Sequence, residues 1–207
     1  MRTHLFLFTS IISFCFAAPA EWSIESGGNG HSYEVISAPD GIWWTQAKAA
    51  AEDIGGHLAT ITSQAESDFV FTLIDQKTHF SSNIHLTNKW GPWLGGYQDF
   101  GSSTLSENWH WVTGEPWDYT NWDAGHPADY DLQEDGTENY LSYGCGYLYD
   151  WSKWNDLGNR GAYDGVIEPP VAIISYVVEY EPVPEPASLL LLGMGILLIK
   201  KRQSSQH

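Results

Sequence analysis

Apolar and polar positions first alternate at Tyr33-Glu34-Val35-Ile36, which predicts a strand ended by the turn signal Pro39-Asp40-Gly41. From Trp44 to Ile54 the run WTQAKAAAEDI is rich in alanine and other good helix formers, and Gly55-Gly56 supplies a stop, so a helix is predicted there. Ser63-Gln64-Ala65-Glu66 has the form of a capping box, in which Ser63 caps the backbone of Glu66 and Glu66 reaches back. Ala65, Phe69 and Leu73 then recur on one face and predict a second helix to about Ile74. Beyond it the helical period is lost. Trp93-Leu94 is a short apolar strand ending in a glycine pair, and NWHWVTGEP alternates large residues before a Thr-Gly turn. Asp118 to Asp150 shows no period, is rich in Gly, Asp and Asn, and reads as one long loop. The closing run VAIISYVVEYE is β-rich and apolar, so it should pair centrally in a sheet, near the first strand. Helices early, strands late and one long loop predict a small α+β domain.

The two ends carry apolar runs of another kind. Arg2 precedes a run from Leu5 to Phe16, and Ala18-Pro19-Ala20 has the small-x-small form of a cleavage site, so residues 1–20 read as a secretory signal peptide ending before Glu21. A buried N-terminal helix would show a polar face, which this run lacks. At the other end Pro184-Glu185-Pro186 is followed by an apolar stretch, Ala187 to Ile199, and by Lys200, Lys201 and Arg202. That order is how a membrane stop with a cytoplasmic tail is written. Such a stretch rises only about 20 Å against a hydrocarbon core of about 30 Å, which suits a temporary anchor better than a permanent one. Residues 21–181 therefore form one domain, with a tail over residues 182–207.

Charge narrows the class of partner. The net charge is −17, and between the two ends only Lys48, Lys77, Lys89, Lys153 and Arg160 are basic. Nucleic acid and anionic membrane surfaces would repel such a domain, whereas extracellular calcium, or solubility alone, would suit it. Cys15 leaves with the signal peptide and Cys145 stands alone, so no disulfide closes within the domain. The tryptophans and tyrosines crowd between Trp90 and Trp154, which predicts a core built from aromatic rings.

The acids Asp129, Asp131, Glu134 and Asp135 read as a solvated loop or as ligands. They do not make an EF-hand: with Asp131 at position one, Gly136 falls correctly at six, but Gln133 and Ser142 stand where stronger ligands are required. His126 has no second histidine at zinc-ligand spacing, and His57, within GGHLAT, reads as structural. Neither GxSxG, HExxH nor a phosphate-binding glycine loop is present, and no enzymatic activity is expected.

Six motifs occur in a telling order: GGHLATITSQAESDFV (55–70), WLGG (93–96), WHWVTGEPWDYTNW (109–122), Glu138-Asn139, Trp154-Asn155-Asp156 and YVVEY (176–180). Together they resemble a C-type lectin-like domain over about residues 29–181. The tail resembles a PEP-CTERM sorting signal, with Pro184, Glu185 and Pro186 as its motif. The tail implies processing by an exosortase-type enzyme in a Gram-negative envelope and release to, or display on, the cell surface or extracellular matrix. The domain implies a double-looped α+β fold, two helices packed on small antiparallel sheets, whose long loop region holds calcium and, in lectin members, a sugar. In the family the ion is bound by Glu and Asn, or Gln and Asp, on either side of a proline, then by a second Glu, then by the Asn-Asp pair after Trp. Carried over, Glu138, Asn155 and Asp156 match metal ligands, and with Trp154 and His126 they form the implied carbohydrate site. The first triplet departs: His126-Pro127-Ala128 stands in its place, with Asp129 one position late as a substitute ligand if the loop is shifted by a residue. The expectation is calcium-assisted binding of carbohydrate or extracellular polysaccharide. The altered triplet leaves open a second reading, an adhesion or matrix protein that uses the same fold for protein binding without calcium.

Overall fold

The computed structural model describes residues 18–82, 89–102, 104–128, 138–144, 150–161 and 171–182. The first half holds β1 (Ala20–Glu21), β2 (Ser32–Ser37), α1 (Trp44–Asp53), β3 (His57–Leu58), α2 (Gln64–Thr72), β4 (Ser81–Ser82) and β5 (Lys89–Trp90). The second half holds β6 (Trp93–Gln98), β7 (Trp109–Trp111), β8 (Tyr140–Tyr143), β9 (Trp154–Leu157) and β10 (Ser175–Tyr180). The signal segment through residue 17, the sorting motif Pro184-Glu185-Pro186, the apolar stretch after it, Asp129 and its acidic neighbours, and Cys145 all lie outside the described residues. Among the described residues no helix is long and apolar enough to cross a membrane.

The closing apolar run is central, as its β-branched composition requires. β10 pairs antiparallel with β2 along its whole length, from Ser175 opposite Ser37 to Tyr180 opposite Ser32. Its other edge is shared by β3, antiparallel, and by β6, parallel, with Tyr176 opposite Trp93. The order β1-β2-β10-β6-β8-β9, with β3 on β10 and β7 on β6, makes one eight-stranded mixed sheet. The expected small antiparallel sheets are therefore one mixed sheet, beside the pair β4-β5.

Alternation along these strands divides the core. Tyr176 and Val178 pack with Trp44, Ala47 and Ala51 of α1, while Val177 between them packs with Val70 of α2 and with Trp109, Trp111 and Trp154. Successive side chains of a strand point to opposite faces, so β10 serves both layers at once. The glycine pair of the WLGG motif has a steric reason. A Cβ on Gly95 would stand 2.5 Å from the carbonyl oxygen of Leu58, and one on Gly96 would stand 2.7 Å from Leu141 Cδ2. Only glycine admits β3 and β8 so close to β6.

Three local expectations need correction. The long loop from Asp118 to Asp150 is interrupted by β8, which lies between β6 and β9 with Leu141, Ser142 and Tyr143 buried. In α2 the buried positions are Glu66, Ser67 and Val70, whereas Ala65 is exposed and Phe69 only half-buried. The helix is rotated because Glu66 is drawn inward. Ser63 Oγ does accept from the Glu66 N–H at 3.1 Å, but Glu66 does not close the box on Ser63; it accepts from the N–H of Thr62 at 2.7 Å and from the hydroxyl of Tyr33. Helix α1 begins and ends as expected within a residue, with Gly55 in the left-handed region at φ +84° after it.

Candidate functional site

The region that carries most of the expected ligands is built on β9. Its first residue, Trp154, donates its N–H to Asn121 O at 2.8 Å, and its carbonyl accepts from Asp123 N–H at 2.9 Å. These bonds lay the segment around Trp122 alongside β9. The chain then turns, His126 N–H donating to Asp123 O at 3.0 Å, and passes through a cis His126–Pro127 peptide bond to Ala128.

This path brings the altered triplet onto Asp156. The His126 Nδ1–H donates to Asp156 Oδ1 at 3.0 Å, and the Ala128 N–H donates to Asp156 Oδ2 at 2.8 Å. The residue is almost fully buried, at 2% exposure, and each carboxylate oxygen accepts from the loop. Burial pushes the Asp156 carboxyl above the usual range, and the His126 and Ala128 contacts pull it partly back. The resemblance groups His126 with Asp156 in one implied site; the folded chain adds that the two bond directly across 30 residues.

The other expected residues are placed as follows. Asn155, opposite Ser142 in the β8–β9 ladder, is buried, and its Oδ1 has no hydrogen-bond partner among the described residues. Glu138 and Asn139 are buried where the chain enters β8, and Asn139 O accepts from Gln98 N–H at 2.8 Å. Trp154 has no exposed surface, so it offers no face to a sugar. Its ring meets Trp111, Trp122 and Tyr119 edge-on, at 88°, 88° and 90°, with Trp117 beside them. It is the floor under the site, which corrects its expected place among the ligand-contacting residues. The expectation of an aromatic core is met here most densely. Asp123 and Asn121, not singled out beforehand, are buried and organise the turn: Asp123 Oδ1 accepts from Ala124 N–H at 2.8 Å, and Lys153 Nζ donates to Asn121 Oδ1 at 2.7 Å. Their only signal was their position inside the motif WDYTNWD.

Calcium wants about six to eight oxygen donors, and a ring nitrogen is a poor substitute. Here each Asp156 oxygen accepts from a nitrogen donor, and both donors, His126 and Ala128, stand where the family's triplet would supply side-chain oxygens. Among the described residues no three His, Cys, Asp or Glu side chains stand where they could share a metal ion. The altered triplet thus offers calcium no side-chain oxygen at His126 or Ala128.

A mixed sheet with a loop region folded over one end, floored by tryptophans and pinned by buried polar side chains, defines a lectin-type binding module. The lectin C-type domain profile matches residues 41–160, and the chain belongs to that family. The PEP-CTERM protein-sorting motif matches residues 182–202. Halomucin of Haloquadratum walsbyi is 26% identical over 165 residues, which cover 70% of this chain and 2% of halomucin. The chain spans little more than half the length of the next curated relatives it matches, 56% and 59%. Among solved structures, the cow CD23 carbohydrate-recognition domain, determined in the presence of a GlcNAc2Man3 oligosaccharide, superposes with a TM-score of 0.51 at 20% identity, covering 74% of this chain and 90% of that one. A calcium-independent type II antifreeze protein superposes at 0.50 and 18% identity, covering 82% and 98%. Family and fold are those of non-enzymatic binding modules, in a family that commonly binds calcium.

Proposed function

We propose that the chain is an exported carbohydrate-binding module that engages a sugar or extracellular polysaccharide at the 122–156 corner without calcium. In this reading residues 1–20 direct export, and an exosortase-type enzyme acts near Pro184-Glu185-Pro186. The tail then crosses or touches the membrane only transiently, and the domain reaches the surface or extracellular matrix of a Gram-negative cell. The observation that carries the calcium-free part is the closure of Asp156 by His126 and Ala128, which ties down the loop where the family uses an ion. Asn155 Oδ1, without a hydrogen-bond partner among the described residues, is then the acceptor offered to a sugar hydroxyl. The acidic surface keeps nucleic acid away.

One observation favours a second reading. The unpartnered, buried Asn155 Oδ1 is the kind of oxygen an ion would satisfy, and calcium-assisted binding would use it with Glu138, Asp156 and Asp129. Binding to a glycan array in excess chelator and in calcium separates the two. Equal binding in both, weakened by Asn155→Ala, supports the calcium-free site. Loss of binding in chelator, restored by calcium, overturns it in favour of the ion.

A further inference from the structure

The bond at which the leader would be removed, Ala20–Glu21, does not lie in a free linker. Those two residues are the whole of β1, and they pair antiparallel with β2, Ala20 opposite Tyr33 and Glu21 opposite Ser32. The next residue is tied to the same partner segment. Trp22 N–H donates to His31 O at 2.8 Å, and Trp22 O accepts from Gly30 N–H at 2.9 Å. Backbone groups in an antiparallel ladder face the partner strand at every second residue, so those of Ala20 face Tyr33 as those of Trp22 face His31. The carbonyl that a peptidase has to attack is thereby turned into the sheet.

Side chains seat the same stretch on both sides of the bond. Downstream, the Trp22 ring stacks on Phe69 of α2 at 5.8 Å and 17°, and Phe69 meets the Tyr33 ring edge-on at 5.8 Å. After Trp22 the chain turns back against it, Gly28 N–H donating to Ser23 O at 2.9 Å. A Cβ on Gly28 would stand 2.2 Å from Trp22 O and 2.5 Å from Trp22 Cγ, so only glycine lets the returning chain pass. Upstream, Ala18 and Pro19 border an apolar groove together with Ile36, Ile54 and Tyr180. Opening the bond to an enzyme therefore means unpairing β1 and lifting Trp22 off Phe69, while the pairing of β2 with β10 stays whole.

A peptidase that takes its substrate as extended chain competes with β2 for the same backbone groups. Hydrolysis adds one water across the bond, leaving a carboxylate on Ala20 and an ammonium on Glu21. We propose that the fold closes its own export-processing site: Ala20–Glu21 is cut only while β1 is unpaired from β2, so a chain that folds first keeps its leader. This rests on the reading of residues 1–20 as that leader. Once the edge has closed, the bond is reached only through local opening, and cleavage follows the population of the opened form. Loss of Ala18, Pro19 and Ala20 also takes away the partner of Tyr33 on that edge, so the processed domain differs from its precursor where the groove begins.

The test is one of order of addition. The full chain is synthesised in a cell-free system with detergent micelles, and a bacterial signal peptidase is either present throughout or added after the chain has folded. N-terminal sequencing identifies product that begins at Glu21. The expected result is cleavage during synthesis and a rate lower by about tenfold or more once the chain has folded. Gly28→Ala lies away from the residues flanking the bond and drives a methyl group into Trp22, so it should restore cleavage of the folded chain. Near-ultraviolet circular dichroism checks that the tryptophan core of this variant still forms. Equal rates in the two orders, or resistance that Gly28→Ala leaves unchanged, would overturn the proposal while the leader stands. Absence of product beginning at Glu21 in both orders would overturn the reading of residues 1–20 and this proposal with it.

Discussion

Asp156 on β9 and Glu179 on β10 are buried in the same way. Each accepts from one histidine ring and from one backbone N–H of a residue distant in sequence: His126 and Ala128 for Asp156, His31 and Thr60 for Glu179. Burial pushes both carboxyls above the ordinary range. Beyond that the two regions diverge. Both of these Asp156 partners come from one short stretch, so the carboxylate pins a loop to the end of the sheet. Glu179 also binds the Thr60 hydroxyl and Tyr33, and through Tyr33 it meets Glu66 of α2, so it joins β2, α2 and the residues after β3 to the central strand. The same chemical device shapes a site in one place and supports the scaffold in the other, because what it does depends on how many separate elements send it a donor.

That contrast is open to measurement. The largest effect is expected from Glu179→Ala, which leaves the Thr60 N–H, Tyr33 and His31 without their acceptor in the interior. Breaking a buried, hydrogen-bonded pair typically costs about 3–5 kcal/mol, to be read from the midpoint of urea unfolding. Asp156→Ala should cost less, about 1–2 kcal/mol, since the freed Ala128 N–H and His126 can turn with their loop towards water. It should nevertheless abolish glycan binding, whereas a small surface substitution in α1 leaves binding unchanged. Equal losses of stability would show that the two carboxylates are not distinguished by their partners.

The smallest effect is one of pH. A group whose folded value is raised contributes stability that is fully present below its unfolded value, about 4.3 for glutamate, and is lost as pH rises through the folded value. Since Glu179 is raised by burial, the wild type should lose stability relative to Glu179→Gln as pH increases across that window. Unfolding free energies at a series of pH values check this. A difference that is flat, or that grows with pH, would place the Glu179 carboxyl at or below its ordinary range.

The parts of the fold that were legible beforehand were those decided locally. The alanine-rich run closed by Gly55 makes α1, because propensity and a left-handed stop act within a few residues. The β-branched run at the end makes the central strand, because such a segment is stable only when both faces are covered. The region around β8 was misread because Tyr140–Tyr143 carries no turn signal or strong period of its own; it is a strand only because β6 and β9 stand ready on either side. The face of α2 was misread for a related reason. A glutamate counts as polar in any periodic pattern, and only the presence of Tyr33 and the Thr62 N–H makes the buried position favourable for Glu66.

For the site, the residue types of Glu138, Asn155 and Asp156 and the broken triplet at His126 were plain in the chain. Their relations were not. By itself the sequence determined the family, the order of elements, the aromatic character of the core and the acidic surface, since each follows from composition or from spacing over a few turns of chain. Only the tertiary structure decided that Trp154 lies beneath the site, that His126 closes on Asp156, and that Thr60 and Tyr33 meet at Glu179. These are contacts between side chains far apart in sequence, and what such a pair does depends on the distance and burial that the whole sheet imposes on it.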